Sequence, residues 1–210
     1  MSKLKLYDYI ESQNGYKVRL ALSNLKVDYD WIQVDLKSHE QKKDWFLKLN
    51  PNGKVPTLVD DDFSIWESNA ILLYLGRKFA PQITNSLIPQ DIKKLGMMLE
   101  WITYESTTLS KNIGGARFLT KYMPPERLKK DELDKYKKDS KRNLKIVDEH
   151  LSKNNFLAID YSMADISCYG QIYIAPEGNI DLSEFKNILA WQKRVESQLG
   201  YVEMKTGVKV

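Results

Sequence analysis

Asn50-Pro51-Asn52-Gly53-Lys54-Val55-Pro56-Thr57-Leu58 passes from turn-forming residues into an apolar run. Proline cannot donate to a strand ladder, so Pro56 belongs at the start or edge of a strand. A cis Val55-Pro56 bond would turn the chain sharply and leave the Val55 N–H and C=O facing outward. An extended peptide could pair with that backbone as an added strand. The plainer alternative is a turn ahead of a strand. Just downstream, Val55–Val59 and Phe63–Trp66 are two apolar runs separated by Asp60, Asp61 and Asp62. Aspartate bonds its own local backbone in turns, so the pair predicts a hairpin.

Upstream, Leu4, Leu6, Tyr7 and Tyr9 predict a short strand, and polar residues from Glu11 to Gly15 break it. Val18, Ala21, Leu22 and Leu25 then fall on one helical face. Tyr29–Val34 reads as a strand, and 40–48 as a short or irregular helix. After the hairpin, Glu67–Phe79 carries Ile71, Tyr74, Leu75 and Lys78 on adjoining turns. The order βαβ, α, ββ, α predicts an α/β sheet with mixed strand directions.

The texture changes near residue 80. Ala80-Pro81 and Ile88-Pro89 bracket a linker-like stretch, because a residue before proline resists helix. Beyond it the patterns are helical. One long helix is predicted over 90–112 with Leu95, Met98, Leu99, Ile102 and Leu109. Pro124-Pro125 interrupts, and a second helix carries Leu133, Tyr136, Ser140, Leu144, Val147 and Leu151 on one stripe. Its lysines alternate with acidic residues, the pattern of a solvated face. Two more helices are predicted at 163–175 and 183–199. The expected organisation is an α/β domain over 1–80 and an all-α domain over 90–210.

Composition narrows the function classes. The 210 residues carry 32 basic and 28 acidic side chains, a formal charge of +4 without a basic arm, so nucleic acid is not an expected partner. No apolar run is long enough to span a membrane, and no signal peptide is apparent. The single cysteine, Cys168, excludes an internal disulfide framework and fits a reducing cytoplasm. His39 and His150 lack metal-ligand neighbours, so no metal is expected. Cys168 lies among Ile166, Tyr169 and Ile172 and reads as a buried free thiol. The first domain has no C-x-x-C pair, which argues against a thioredoxin or glutaredoxin.

Two further stretches carry chemistry. Trp66-Glu67-Ser68-Asn69-Ala70 lies at a strand-to-helix junction, with Glu67 and Ser68 expected in the first helical turn. Free N–H groups and the positive dipole end gather there and favour a carboxylate. Glu67 could pair with an ammonium, while Ser68 alone reads as a helix cap. Ser12-Gln13-Asn14-Gly15-Tyr16-Lys17-Val18-Arg19 joins the first strand to the first helix. A hydroxyl or amide there can donate to a thiolate and lower a thiol pKa, although Ser12 or Asn14 alone also reads as a cap.

Together, NPNGKVPTL, WESNAILLYL and SQNGYKVRL resemble the cytosolic glutathione transferases in order and spacing. Ser162-Met163-Ala164-Asp165 is similar to that family's capping-box segment, and FKNILAWQKRVESQLGYVEM to its closing helix. The resemblance, closest to bacterial, theta-like or nu-like members, covers nearly the whole chain. It implies a thioredoxin-like first domain that binds glutathione and an all-helical second domain that contributes the electrophile pocket.

On that resemblance, Val55 would bond the cysteinyl backbone of glutathione, and Glu67 and Ser68 would hold its γ-glutamyl amine and carboxylate. Gln41 and Lys54 would lie near the glycyl end. Ser12 or Asn14 would face the sulfur, Ser12 ranked ahead for attack on electrophiles and Asn14 for disulfide chemistry. Tyr7 aligns roughly with the catalytic tyrosine of other classes but lies within a strand. Trp101, Tyr104, Ile113, Arg117 and Tyr173 are candidates for an apolar pocket, each also readable as core. The implied enzyme conjugates glutathione, as co-substrate and without a cofactor, to small electrophiles and acts as a homodimer. Its rivals are a glutathione-dependent disulfide reductase or peroxidase, and a non-catalytic binding or regulatory protein of the same fold.

Overall fold

The computed structural model describes residues 4–79 and 87–205. It divides into two compact units, Met1–Ser86 with Gln198–Val210, and Leu87–Ser197. The expected division put everything from 90 to 210 in one domain; here 198–210 groups with the first unit. The expected linker falls largely on 80–86, outside the described residues.

In the first unit, β1 (Leu4–Asp8), α1 (Gln13–Asn24) and β2 (Tyr29–Gln33) form a βαβ unit. A 3₁₀ turn (Glu40–Lys42) and the short α2 (Asp44–Leu47) lead to β3 (Thr57–Asp60), β4 (Phe63–Trp66) and α3 (Ser68–Phe79). The sheet order is β2-β1-β3-β4. β1 runs parallel to β2, as a helical crossover allows, and antiparallel to β3, which pairs antiparallel with β4. Leu6, Leu58, Leu20, Ile71, Leu72 and Leu75 are fully buried, with α1 packed against α3. Asp61 takes a positive φ of 57° in the hairpin loop, a conformation that aspartate tolerates.

Three local details depart from the sequence reading. β1 does end before Glu11–Gly15, as expected, but α1 already begins at Gln13, so Gln13, Asn14 and Gly15 form its first turn. Ser12 explains the early start, because its Oγ accepts the Gly15 N–H at 3.1 Å. β3 begins at Thr57, after a cis Val55-Pro56 bond. Glu67 precedes α3 with φ 69° instead of joining its first turn, while its carbonyl accepts the first helical bond from Ile71 N–H at 3.0 Å.

In the second unit, the helix expected over 90–112 runs further. α4 (Ile92–Tyr104) and α5 (Ser110–Arg117) are joined by a π-helical segment, Glu105–Leu109, and a second such segment follows at Phe118–Tyr122. A π turn shifts the register, so a 3.6-residue pattern does not carry through it. Buried Glu105 sits in the first π segment, its Oε2 accepting from Ser167 Oγ at 3.0 Å. A 3₁₀ turn at Pro125–Arg127 precedes α6 (Lys130–Leu151). α7 (Met163–Tyr173) is buried through Ile172, and α8 (Lys186–Glu196) closes the unit; both are shorter than expected. The capping box at Ser162 is present. Asp165 accepts from Ser162 N and Leu157 N at 3.0 Å and from Trp191 Nε1 at 2.9 Å. Cys168 is free and buried. Among the described residues no helix is long and apolar enough to cross a membrane.

Candidate functional site

Strand register places the three sequence stretches at one end of the sheet. Tyr7 pairs with Thr57, and Thr57 pairs with Trp66. Both pairings are antiparallel, so the exit of β1, the entry to β3 and the exit of β4 lie side by side. The loop with Ser12, the turn with Val55 and the junction with Glu67 grow from those three points.

The turn ahead of β3 is built by Asn50, which the sequence reading quoted but gave no role. Its Nδ2 donates to the Lys54 carbonyl at 2.7 Å and to Thr57 Oγ1 at 3.1 Å, and its Oδ1 accepts from Asn52 N–H at 2.9 Å. The signal was legible, because an asparagine before a proline in a turn bonds local backbone. Gly53 has φ 60°, and a Cβ there would lie 2.9 Å from the Gln41 carbonyl and 2.8 Å from Lys42 Nζ. Only glycine lets the turn close on 40–42 in this way, which brings Gln41 beside the turn that carries Lys54 and Val55. The Gln41 side-chain oxygen is buried without a hydrogen-bond partner, and Lys54 is exposed. Val55 is half-buried, and among the described residues its N–H and C=O have no hydrogen-bond partner.

Glu67 is exposed and reaches the same turn, its Oε1 accepting from Asn52 Nδ2 at 3.3 Å. Ser68 opens α3 and is 8% exposed, at the end where free N–H groups and the dipole meet. Ser12 and Asn14 are both half-buried. Ser12 Oγ already accepts from Gly15 N–H, so its own hydrogen is the group left to donate, and among the described residues it has no acceptor. Asn14 lies in the first turn of α1, with no side-chain partner among the described residues. Tyr7 packs its ring against Trp45 and Phe46, with centroids 6.0 and 6.5 Å away.

The candidates for the apolar pocket lie in the second unit. Trp101, Ile113 and Arg117 are buried, while Tyr104 and Tyr173 are half-buried. Trp101 meets Tyr104 edge-on at 5.7 Å. Burial, then the neighbouring Cys168, pushes the Tyr104 hydroxyl up to about 12, so it stays protonated at neutral pH. Arg117 Nε donates to Glu177 Oε2 at 2.7 Å, and Tyr173 lies 5.8 Å from the Tyr169 ring. That edge-on contact brings Trp101 and Tyr104 together.

The sequence reading also missed the buried ion pair of Arg19 and Asp8, 3.1 Å apart with neither side chain exposed. Burial pushes the Asp8 carboxyl up to about 6, against the opposing pull of Arg19. The signal was a cation in the middle of α1, between Val18 and Leu20.

Comparison with known proteins bears on what this geometry serves. Residues 2–77 match the glutathione S-transferase N-terminal domain, and residues 114–198 match its C-terminal domain. A solved structure of a glutathione S-transferase from Pseudomonas fluorescens is 35% identical, covers 97% of this chain and 99% of its own, and has a TM-score of 0.87. The transferase URE2P6 of Phanerochaete chrysosporium, solved in complex with oxidised glutathione, is 28% identical over 94% of this chain and 92% of its own, with a TM-score of 0.86. The disulfide-bond oxidoreductase YfcG of Escherichia coli is 26% identical over 90% of this chain and 89% of its own. With the paired domains, the sheet-end geometry and a relative above one-third identity over the full length, the chain belongs to the glutathione S-transferase family of enzymes.

Proposed function

We propose that the chain binds glutathione across the sheet end of the first unit and transfers its thiolate to small electrophiles. The observation that carries this reading is the register that sets Ser12, Val55 and Glu67 at one sheet end, with the Val55 backbone unpaired. Val55 pairs with the cysteinyl backbone as an added strand would. Glu67 takes the γ-glutamyl ammonium, and the start of α3 with Ser68 takes the adjoining carboxylate. Gln41 and Lys54 face the glycyl carboxylate. Glutathione is the co-substrate, and no cofactor is required.

The chemistry centres on ionisation. A thiol of pKa near 8.5 is only a few per cent thiolate at neutral pH. Ser12 donates a hydrogen bond to the sulfur and favours its charged form, and a drop of two units represents about 2.7 kcal/mol. The thiol proton leaves to solvent, the sulfur bonds to the electrophilic carbon, and the leaving group departs with its electron pair. Trp101, Tyr104, Ile113, Arg117 and Tyr173 are the residues of the second unit proposed to receive the electrophile.

The likeness to YfcG and the unpartnered Asn14 amide favour a second reading, disulfide reduction. There the glutathione thiolate attacks a disulfide and expels one sulfur as thiolate; a second glutathione then resolves the mixed disulfide. The only cysteine is buried, so this route runs through glutathione sulfurs alone. A binding or regulatory role of the same fold is the remaining rival. Exposed Phe63 and Trp66 on the edge strand β4, with Ile92 and Leu99 on α4, support self-association as a homodimer. The single cysteine supports a reducing, cytoplasmic setting.

Calorimetry with glutathione, followed by an activity panel of chloronitrobenzenes, peroxides and a mixed disulfide, tests the reading. Binding with aromatic substitution supports the transferase. Binding with disulfide reduction alone supports the second reading, and absence of binding contradicts both.

A further inference from the structure

The loop that carries Ser12 is held from behind by a single guanidinium. Arg19 Nη2 donates to the Ile10 carbonyl at 2.9 Å, two residues ahead of Ser12. Its Nη1 donates to the Met204 carbonyl at 2.7 Å, and its Nε lies 3.1 Å from Asp8 Oδ2. One planar fork thus joins the end of β1, the following loop and the segment 198–205. Asp8 in turn fixes the first turn of α1, for a Cβ on Gly15 would fall 1.6 Å from Asp8 Oδ1. The carboxylate occupies the space of the missing side chain.

The segment 198–205 is tied to α1 at two further points. Tyr16 OH donates to the Val202 carbonyl at 2.9 Å, and Asn24 Nδ2 to the Leu199 carbonyl at 2.9 Å. Gly200 has φ 82°, and a Cβ there would come within 2.6 Å of the Ser23 carbonyl. Met204 is fully buried. Burying an ion pair costs desolvation that its attraction only partly offsets, so stability alone is a weak reason for keeping one. Geometry offers a stronger reason, because the pair fixes both ends of the loop from Tyr9 to Ser12.

We propose that Arg19, Asp8 and the segment 198–205 form a clamp that positions Ser12 against the glutathione sulfur, making residues nearly two hundred positions from Ser12 part of thiolate formation. The inference rests on the reading of Ser12 given above. Arg19 is 1% exposed and acts through the loop, as a positioning residue. Its charge is balanced by Asp8, so its effect on the sulfur is geometric.

Two variants test it. Arg19→Lys keeps the charge beside Asp8 but loses the planar fork. Tyr16→Phe with Asn24→Ala loosens 198–205 without altering any charge, and carries the test if Arg19→Lys does not fold. Amide hydrogen exchange over residues 9–15 is measured on the ligand-free protein, and thiolate absorbance is titrated with glutathione bound. The clamp predicts about tenfold faster exchange in the loop and a thiolate midpoint raised by about one pH unit. Glutathione affinity should stay within about threefold, because the γ-glutamyl contacts are untouched. Wild-type exchange in folded variants overturns the clamp. Faster exchange with an unmoved midpoint overturns its link to the sulfur. If the wild-type protein fails to bind glutathione, the functional reading fails and so does the proposed link, while the exchange data still decide whether the loop is clamped.

Discussion

At Glu67, backbone and side chain have separate tasks. The carbonyl starts α3, and the carboxylate turns back to Asn52 across the neighbouring turn. An exposed carboxylate held at that sheet end is suited to an ammonium, and a charge-assisted bond of this kind is worth about 1.5–3 kcal/mol. Glu67→Ala should therefore weaken glutathione binding roughly ten- to hundredfold by calorimetry, with an unchanged melting curve. An unchanged affinity would remove Glu67 from the site. Two glycines provide a contrast in stability. Gly15→Ala collides with Asp8, which Arg19 holds in place, and should cost more than about 2 kcal/mol in denaturant unfolding. Gly96→Ala in α4 meets nothing within 4 Å and should instead add about 0.5–1 kcal/mol. Equal effects of the two substitutions would show that the Asp8 carboxylate does not fill the space beside Gly15.

At the scale of elements, the start of α7 carries more than a cap. Sequence alone sets the loss of the capping box at about 1 kcal/mol. In the structure Asp165 also receives the Leu157 N–H and the Trp191 indole, so Asp165→Ala leaves buried donors unpaired. We expect a loss of about 2–4 kcal/mol, with glutathione affinity little changed because the residue lies in the second unit. A native melting temperature would contradict this. Burial raises the Asp165 carboxyl to about 6, against the opposing pull of its hydrogen bonds. The folded state then holds its proton more tightly than the unfolded chain does. That contribution to stability is present below about pH 4 and fades as pH rises through 6, by up to about 3 kcal/mol. The stability advantage of wild type over Asp165→Asn should shrink over that range; a flat or growing advantage would show that the carboxyl ionises lower. The sequence showed this box because its pattern is local, spanning Ser162 to Asp165. It could not show the two π segments, which break the 3.6-residue period around Glu105 and Tyr122.

Across the whole molecule, the legible features were those written in short, contiguous patterns. The strand-to-helix alternation through Phe79, the turn into Thr57 and the helical texture beyond residue 90 all follow from local periodicity and turn chemistry. What stayed hidden depends on distant partners. Arg19 looks like an ordinary helix cation until Met204 and Asp8 are placed beside it, and Gln198–Val210 reads as the tail of the helical domain until it is seen grouped with the first unit. The site was half-legible for the same reason: each stretch was visible, but only the pairing of Tyr7 with Thr57 and of Thr57 with Trp66 brings them to one place. Sedimentation tests the proposed dimer, since Phe63→Ser with Trp66→Ser should shift the protein toward monomer; an unchanged distribution would place the interface elsewhere. This sheet end is proposed to bind glutathione and to ionise its thiol through Ser12. Thiolate absorbance of the bound tripeptide, titrated against pH, tests it directly. The wild-type midpoint should fall about one to two units below the free thiol value near 8.5, and Ser12→Ala should return it most of the way, with Asn14→Ala moving it less. A wild-type midpoint equal to that of free glutathione, or one that Ser12→Ala leaves in place, would contradict it.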